Sequence, residues 1–103
     1  MMELIKKLED QINEEMHDSG KYIKCALKYK EEHKDLADLY YWLSQEEMTH
    51  ADKLHKMVVN TIEDYKRKEG EPPAEMLAIY KYVHEKEIEE AAEVKLMWAM
   101  YKE

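Results

Sequence analysis

A carboxylate and an imidazole stand three residues apart in the middle of an apolar helical stripe. They are Glu47 and His50, set within Leu36, Tyr40, Leu43, Leu54, Met57, Thr61 and Tyr65. Alternating steps of four and three place all of these on one face of an α-helix. Side chains at i and i+3 project together, so one ion could sit between Glu47 and His50. A second stripe runs Leu8, Ile12, Glu15, Ser19, Tyr22, Ala26 and Tyr29, again with a carboxylate at its centre. Charged groups on a core-facing stripe are costly unless they are paired or coordinated. Oxygen donors with imidazole suit iron, manganese or zinc, and not copper(I) or an iron–sulfur cluster. Spacing alone does not select the pair. Glu14 and His17 repeat it, but they share a wet face with Asp10, Lys21 and Lys24 and read as solvated.

The elements that must hold these groups are long helices. Two glycines and two prolines in 103 residues leave too few turns for a sheet. One break falls at Glu32-His33-Lys34-Asp35, with Asp35 as the expected cap of the next helix. The other is Glu69-Gly70-Glu71-Pro72-Pro73, where Gly70 suits a helix C-terminus and the prolines suit a new start. The chain therefore reads as a single all-α domain, with helices predicted over about 2–31, 35–69 and 73–102. Short loops make sequential helices antiparallel, so the first two form a hairpin. Folded about a centre between residues 32 and 33, Glu15 and His50 each lie about 17 residues from the bend and Glu47 about 14. At about 1.5 Å per residue, all three come within one turn of the same level.

The second helix has another apolar face, Ala37, Tyr41, Ser44, Met48, Ala51, His55, Val58 and Ile62, and so should contact more than one neighbour. The third helix has the seam Met76, Tyr80, Val83, Glu87, Ala91, Val94, Trp98 and Tyr101. Its second half is apolar around much of its circumference. Three helices of this length do not bury that much surface alone, so self-association into a homodimer or a larger homo-oligomer is expected.

A net charge of −8 opposes binding to phosphate backbones and anionic lipid. The short run Lys66-Arg67-Lys68 suits a helix C-terminus rather than a nucleic-acid surface. Cys25 is the only cysteine, which excludes an intrachain disulfide and a thiolate metal cage. No stretch approaches the roughly 20 apolar residues of a membrane span. The opening residues carry no apolar run of signal-peptide length, so a cytoplasmic setting is expected.

In four-helix di-iron carboxylate bundles, two helices each give one Glu and the other two each give Glu-x-x-His. This chain offers half of that set in Glu15, Glu47 and His50. A two-fold dimer would supply it twice, as four carboxylates and two imidazoles. Glu15, Tyr22 and Ala26, followed by Glu47-Met48-Thr49-His50, resemble the first helix pair of the ferritin-like superfamily. Over about residues 5–60 the chain resembles rubrerythrin-type members, and its length and half-site are similar to those of encapsulated ferritins. The resemblance implies a ferritin-like bundle completed by dimerisation, with two iron ions at the subunit interface and iron(II) oxidised by oxygen or peroxide. It makes Glu15, Glu47 and His50 the ligands and sets Tyr22 beside the metal. Glu87 and Glu90 in the third helix are further candidate ligands, since their spacing is similar to the third rubrerythrin helix. The chain lacks the second Glu-x-x-His of a rubrerythrin-type fourth helix and the Cys-x-x-Cys pairs of a rubredoxin domain.

Plainer readings stand beside these. Glu47 and His50 could be a buried hydrogen-bonded pair that fixes helix register in a non-catalytic, self-associating helical module. The site could equally hold zinc for structure, or manganese. His84 and His55 read as satisfied histidines at helix contacts, and Tyr22 as a packed aromatic whose hydroxyl could reach a ligand carboxylate.

Overall fold

A computed structural model describes residues 1–103 as three helices and no strands: α1 (Met2–Tyr29), α2 (Lys34–Glu69) and α3 (Ala74–Lys102). α1 and α2 form the expected antiparallel hairpin. α3 returns alongside α1, packing mainly on it and touching α2 at fewer places. The rod measures 56 × 18 × 17 Å. No helix is long and apolar enough to cross a membrane.

The helix ends follow from local chemistry, with one correction. α2 ends at Gly70, whose φ of 87° lies in the left-handed region and whose N–H returns to the Lys66 carbonyl. Only glycine holds that conformation without strain. Pro73 precedes α3 with φ −54°, already suited to a helical start. Asp35 does not cap α2. The helix begins at Lys34 with His33 before it and no side-chain cap, and Asp35 sits in the first turn, where its charge favours the positive end of the helix dipole.

The core is built from one stripe per helix. α1 contributes Ile5, Leu8, Ile12, Met16, Ser19, Ile23 and Ala26, and α2 contributes Ala37, Ser44, Met48, Ala51, Val58 and Ile62. Ile12, Ile23 and Val58 are almost wholly shielded, each worth about 1.5–3 kcal/mol against exposure. The α2 core stripe is the second of its two apolar faces. The stripe bearing Glu47 and His50 lies on the flank away from α3, with Leu36 and Met57 exposed near its ends. α3 reaches the other face of α2 through long side chains, with Tyr101 stacking on Tyr41 at 4.8 Å and the Trp98 indole meeting Ser44.

A hydroxyl clasp locks the three helices midway. The Ser19 hydroxyl donates to the Ser44 carbonyl and the Ser44 hydroxyl donates to the Ser19 carbonyl, both at 2.7 Å. The Trp98 indole N–H of α3 donates to Ser44 Oγ at 2.8 Å. Ser44→Ala removes a donor and an acceptor at once in a dry place. A loss of about 1–3 kcal/mol is expected, readable as a fall in the urea midpoint without change of slope.

Gly20 illustrates the opposite case. A Cβ there would meet Val94 Cγ2 at 3.7 Å, an ordinary contact. Gly20→Ala is therefore expected to stabilise the helix by about 0.5–1 kcal/mol, seen as a higher melting temperature.

Candidate metal centres

The hairpin brings Glu15, Glu47 and His50 together, as the level argument requires. One ligand atom from each lies within 4.8 Å of the other two. His50 Nδ1 is 3.3 Å from a Glu15 oxygen and 3.9 Å from a Glu47 oxygen. The short loop after α1 sets the common level, and the two seams turn the side chains toward each other. The Glu47 carboxyl is pushed up to about 7. The chief cause is a hydrogen bond shared with the Glu15 carboxyl, which keeps a proton between them; partial burial adds to it. Two acids pressed together beside an imidazole form a pocket of negative potential that a cation relieves.

The trio is not in a dry interior, contrary to what its place in an apolar seam suggests. Its side chains are 28% (Glu15), 20% (Glu47) and 48% (His50) exposed. The reason is the position of α3, which covers the opposite side of the hairpin. The groups lie in a half-covered stripe between Tyr40 and Leu43 toward the loop and Leu54 toward the open end.

Tyr22 takes its place among aromatics, as the plainer of its two readings has it. Its ring stacks on Tyr40 with centroids 6.0 Å apart, and Tyr40 in turn stacks on Tyr29 at 6.3 Å. No hydrogen bond joins the Tyr22 hydroxyl to Glu15 or Glu47, so its place is in an aromatic ladder on the loop side of the trio. Glu87 and Glu90 do not join the trio either. Glu90 lines a shallow groove with His17, Gly20, Lys21, Lys24 and Glu93. Glu14 and His17 are exposed, as their wet face predicts.

Glu87 belongs to a second group. It meets His84 of α3 and His55 of α2, one ligand atom of each lying within 4.8 Å of the others. His84 corrects the expectation of a satisfied contact histidine: its Nδ1 is buried and makes no hydrogen bond. Glu9 of α1 faces the same group and is also buried. Sequence reasoning missed Glu9 because it took Leu8, Ile12 and Glu15 as the α1 seam. The more deeply buried line is Ile5, Glu9, Ile12, Met16, Ser19, Ile23 and Ala26, with Glu9 one turn before Ile12. That acid at an apolar place was the available signal. Burial first, then the neighbouring Glu9 carboxyl, push the Glu87 carboxyl up to about 9. Burial also holds the His55 imidazole below its ordinary value, with His84 adding to the effect.

Both groups thus combine carboxylate with imidazole, on opposite sides of the hairpin. No protein-family model matches this chain, and no curated protein or solved structure matches it, so what bears on function is the chemistry of these side chains.

Proposed function

We propose that this protein is a small metal-binding protein in which Glu15, Glu47 and His50 of two chains enclose a pair of iron or manganese ions. Its reaction would be the oxidation of iron(II) to iron(III), with oxygen or peroxide taking the electrons. The observation that carries this reading is the convergence of the three ligand atoms within 4.8 Å. It joins Glu15 to a pair 32 and 35 positions further along the sequence, on two helices whose seams are otherwise largely apolar.

The donor set fits the ions. Carboxylate oxygen and imidazole nitrogen suit iron(II) and manganese(II). In a two-fold pair the four carboxylates balance the charge of two divalent ions. Carboxylates can bind terminally or as bridges, and so accommodate a change of iron oxidation state, while the imidazoles fix position. The iron pair, when bound, supplies the electron transfer; the chain supplies charge, geometry and cover from water.

The exposed stripe supports the pairing. Leu36 and Met57 stand toward its two ends, with Tyr40, Leu43 and Leu54 between them and the acids near the middle. A two-fold axis through the middle sets two such stripes antiparallel, so each chain offers its partner the same surface. Pairing would cover the apolar residues and the half-exposed ligands in one step. This reading matches the ferritin-like resemblance of the α1–α2 hairpin.

Sedimentation velocity under anaerobic conditions tests it. Added iron(II) should convert metal-free chain to a dimer carrying two ions. Subsequent oxygen should generate the near-ultraviolet absorbance of iron(III). A dimer that forms equally well without iron and binds none would instead indicate a helical association module.

A further inference from the structure

A second metal site follows from different residues and does not rest on the first. The geometry points to the group His55, His84 and Glu87, with Glu9 opposite, as a site for one divalent transition-metal ion of the zinc, cobalt or iron(II) class within a single chain.

The side chains come from all three helices. His55 lies on the α2 core stripe, one turn beyond Ala51. His84 and Glu87 are at i and i+3 on α3, with His84 Nδ1 and a Glu87 oxygen 3.9 Å apart. The imidazoles of His55 and His84 lie face to face, with centroids 4.6 Å apart and planes 7° from parallel. Tyr80 also stacks with His84, with centroids 5.6 Å apart. The group borders a cavity of about 300 Å³ that Ile12, Met16 and Ala91 also line. Stacked rings aim their in-plane nitrogen lone pairs side by side, so one imidazole turns about its Cβ–Cγ bond to bring both onto one ion; the cavity leaves room for that turn, and a tetrahedral ion then has its fourth position open to Glu9 or water.

Burial is what separates this group from an ordinary surface cluster. Glu87 is 3% exposed and Glu9 is 7% exposed. Apart from the proton that Glu9 and Glu87 can share, neither carboxyl has a hydrogen-bond donor, and His84 Nδ1 is equally without a partner. Buried polar atoms are nearly always satisfied, and five orphans at one place need an explanation. Lys95 borders the same cavity, but the one ion pair that Glu87 makes is with His84. Carboxylates facing each other can share a proton, but that leaves the His84 nitrogen and the remaining oxygens unmatched. One divalent ion would satisfy the imidazoles and Glu87 together and offset the charge of the acids.

Cobalt(II) provides a direct probe. The full chain carrying Glu47→Gln and His50→Ala, which silences the hairpin site, would be stripped with chelator and titrated at pH 7.5. One cobalt per chain should bind, with visible absorption bands of four- or five-coordinate geometry. Adding His84→Ala or Glu87→Gln should weaken binding by about 100-fold or more and abolish the bands. Glu87→Gln nearly preserves the side-chain shape, so a folded variant is available even if His84→Ala unfolds; helical circular dichroism reports which. Absence of cobalt binding, or binding that neither substitution weakens, overturns the site. Because two of the three hairpin ligands are already gone, failure of the iron reading leaves this result unaffected.

Discussion

Removing the hairpin ligands should abolish metal binding there while leaving the fold intact. For Glu47→Gln or His50→Ala, iron(II) affinity is expected to fall by about 100-fold or more, at least the upper end of what losing even a group that only orients a ligand costs. Metal-induced dimerisation should disappear with it. The metal-free protein should change by less than about 1 kcal/mol, because these side chains are partly exposed and an exposed pair contributes little. Glu47→Gln should if anything raise stability, since it removes one of two acids pressed together. This separation distinguishes a ligand from a packing residue. A pair that merely fixed helix register would show the reverse, with stability lost and no metal to lose. Calorimetric titration with iron(II) under nitrogen, alongside melting curves of the same variants, reads both quantities.

The second large effect concerns the acids under α3. Metal-free protein is expected to lose stability as pH rises. The Glu87 carboxyl is held up to about 9, against an ordinary value of 4.5, so between these limits the folded chain binds a proton that the unfolded chain has released. Unfolding then releases a proton and is favoured by rising pH. The associated stability is fully present below about pH 4.5 and is lost progressively toward pH 9. For this one group the slope reaches at most about 1.4 kcal/mol per pH unit. The groups that face it are Glu9 of α1, Glu90 and His84 of α3, and His55 of α2. Glu87→Leu should flatten the dependence and stabilise the metal-free chain at pH 8 by about 1–3 kcal/mol, the cost of a buried polar group without partners. That is about 4–24 °C in melting temperature for a domain of this size. With zinc present the sign should invert. The parent gains stability from the bound ion, whereas the variant, lacking the ligand, gains little.

These effects show which parts of the molecule were legible in its sequence. The three helices were visible because Gly70 and the paired prolines stand at one break and the polar run Glu32-His33-Lys34-Asp35 at the other, although Asp35 proved to lie in the first turn and not at the cap. The meeting of Glu15, Glu47 and His50 was visible because helical rise and a short loop fix the level of every residue on a hairpin. Which stripe would be covered was not legible. Both faces of α2 are apolar, and the choice depends on where α3 docks, which is set mainly by its packing on α1. That choice turned the Glu47 and His50 stripe outward and set His55 against His84. Glu9 was hidden for a related reason. An acid beside Leu8 reads as a solvated flank until the helix is rotated by the packing of its neighbours. The Ser19–Ser44–Trp98 clasp was equally silent, because serines in a seam carry no sign of their partners until three helices meet.

Crystals of the iron-loaded protein, grown without oxygen and measured on both sides of the iron absorption edge, test the central claim most directly. The expected result is a pair of anomalous peaks on a two-fold axis, enclosed by Glu15, Glu47 and His50 of both chains. A dimer whose α1–α2 faces pair without iron between them, or iron bound elsewhere while these three side chains hold only each other, would contradict it.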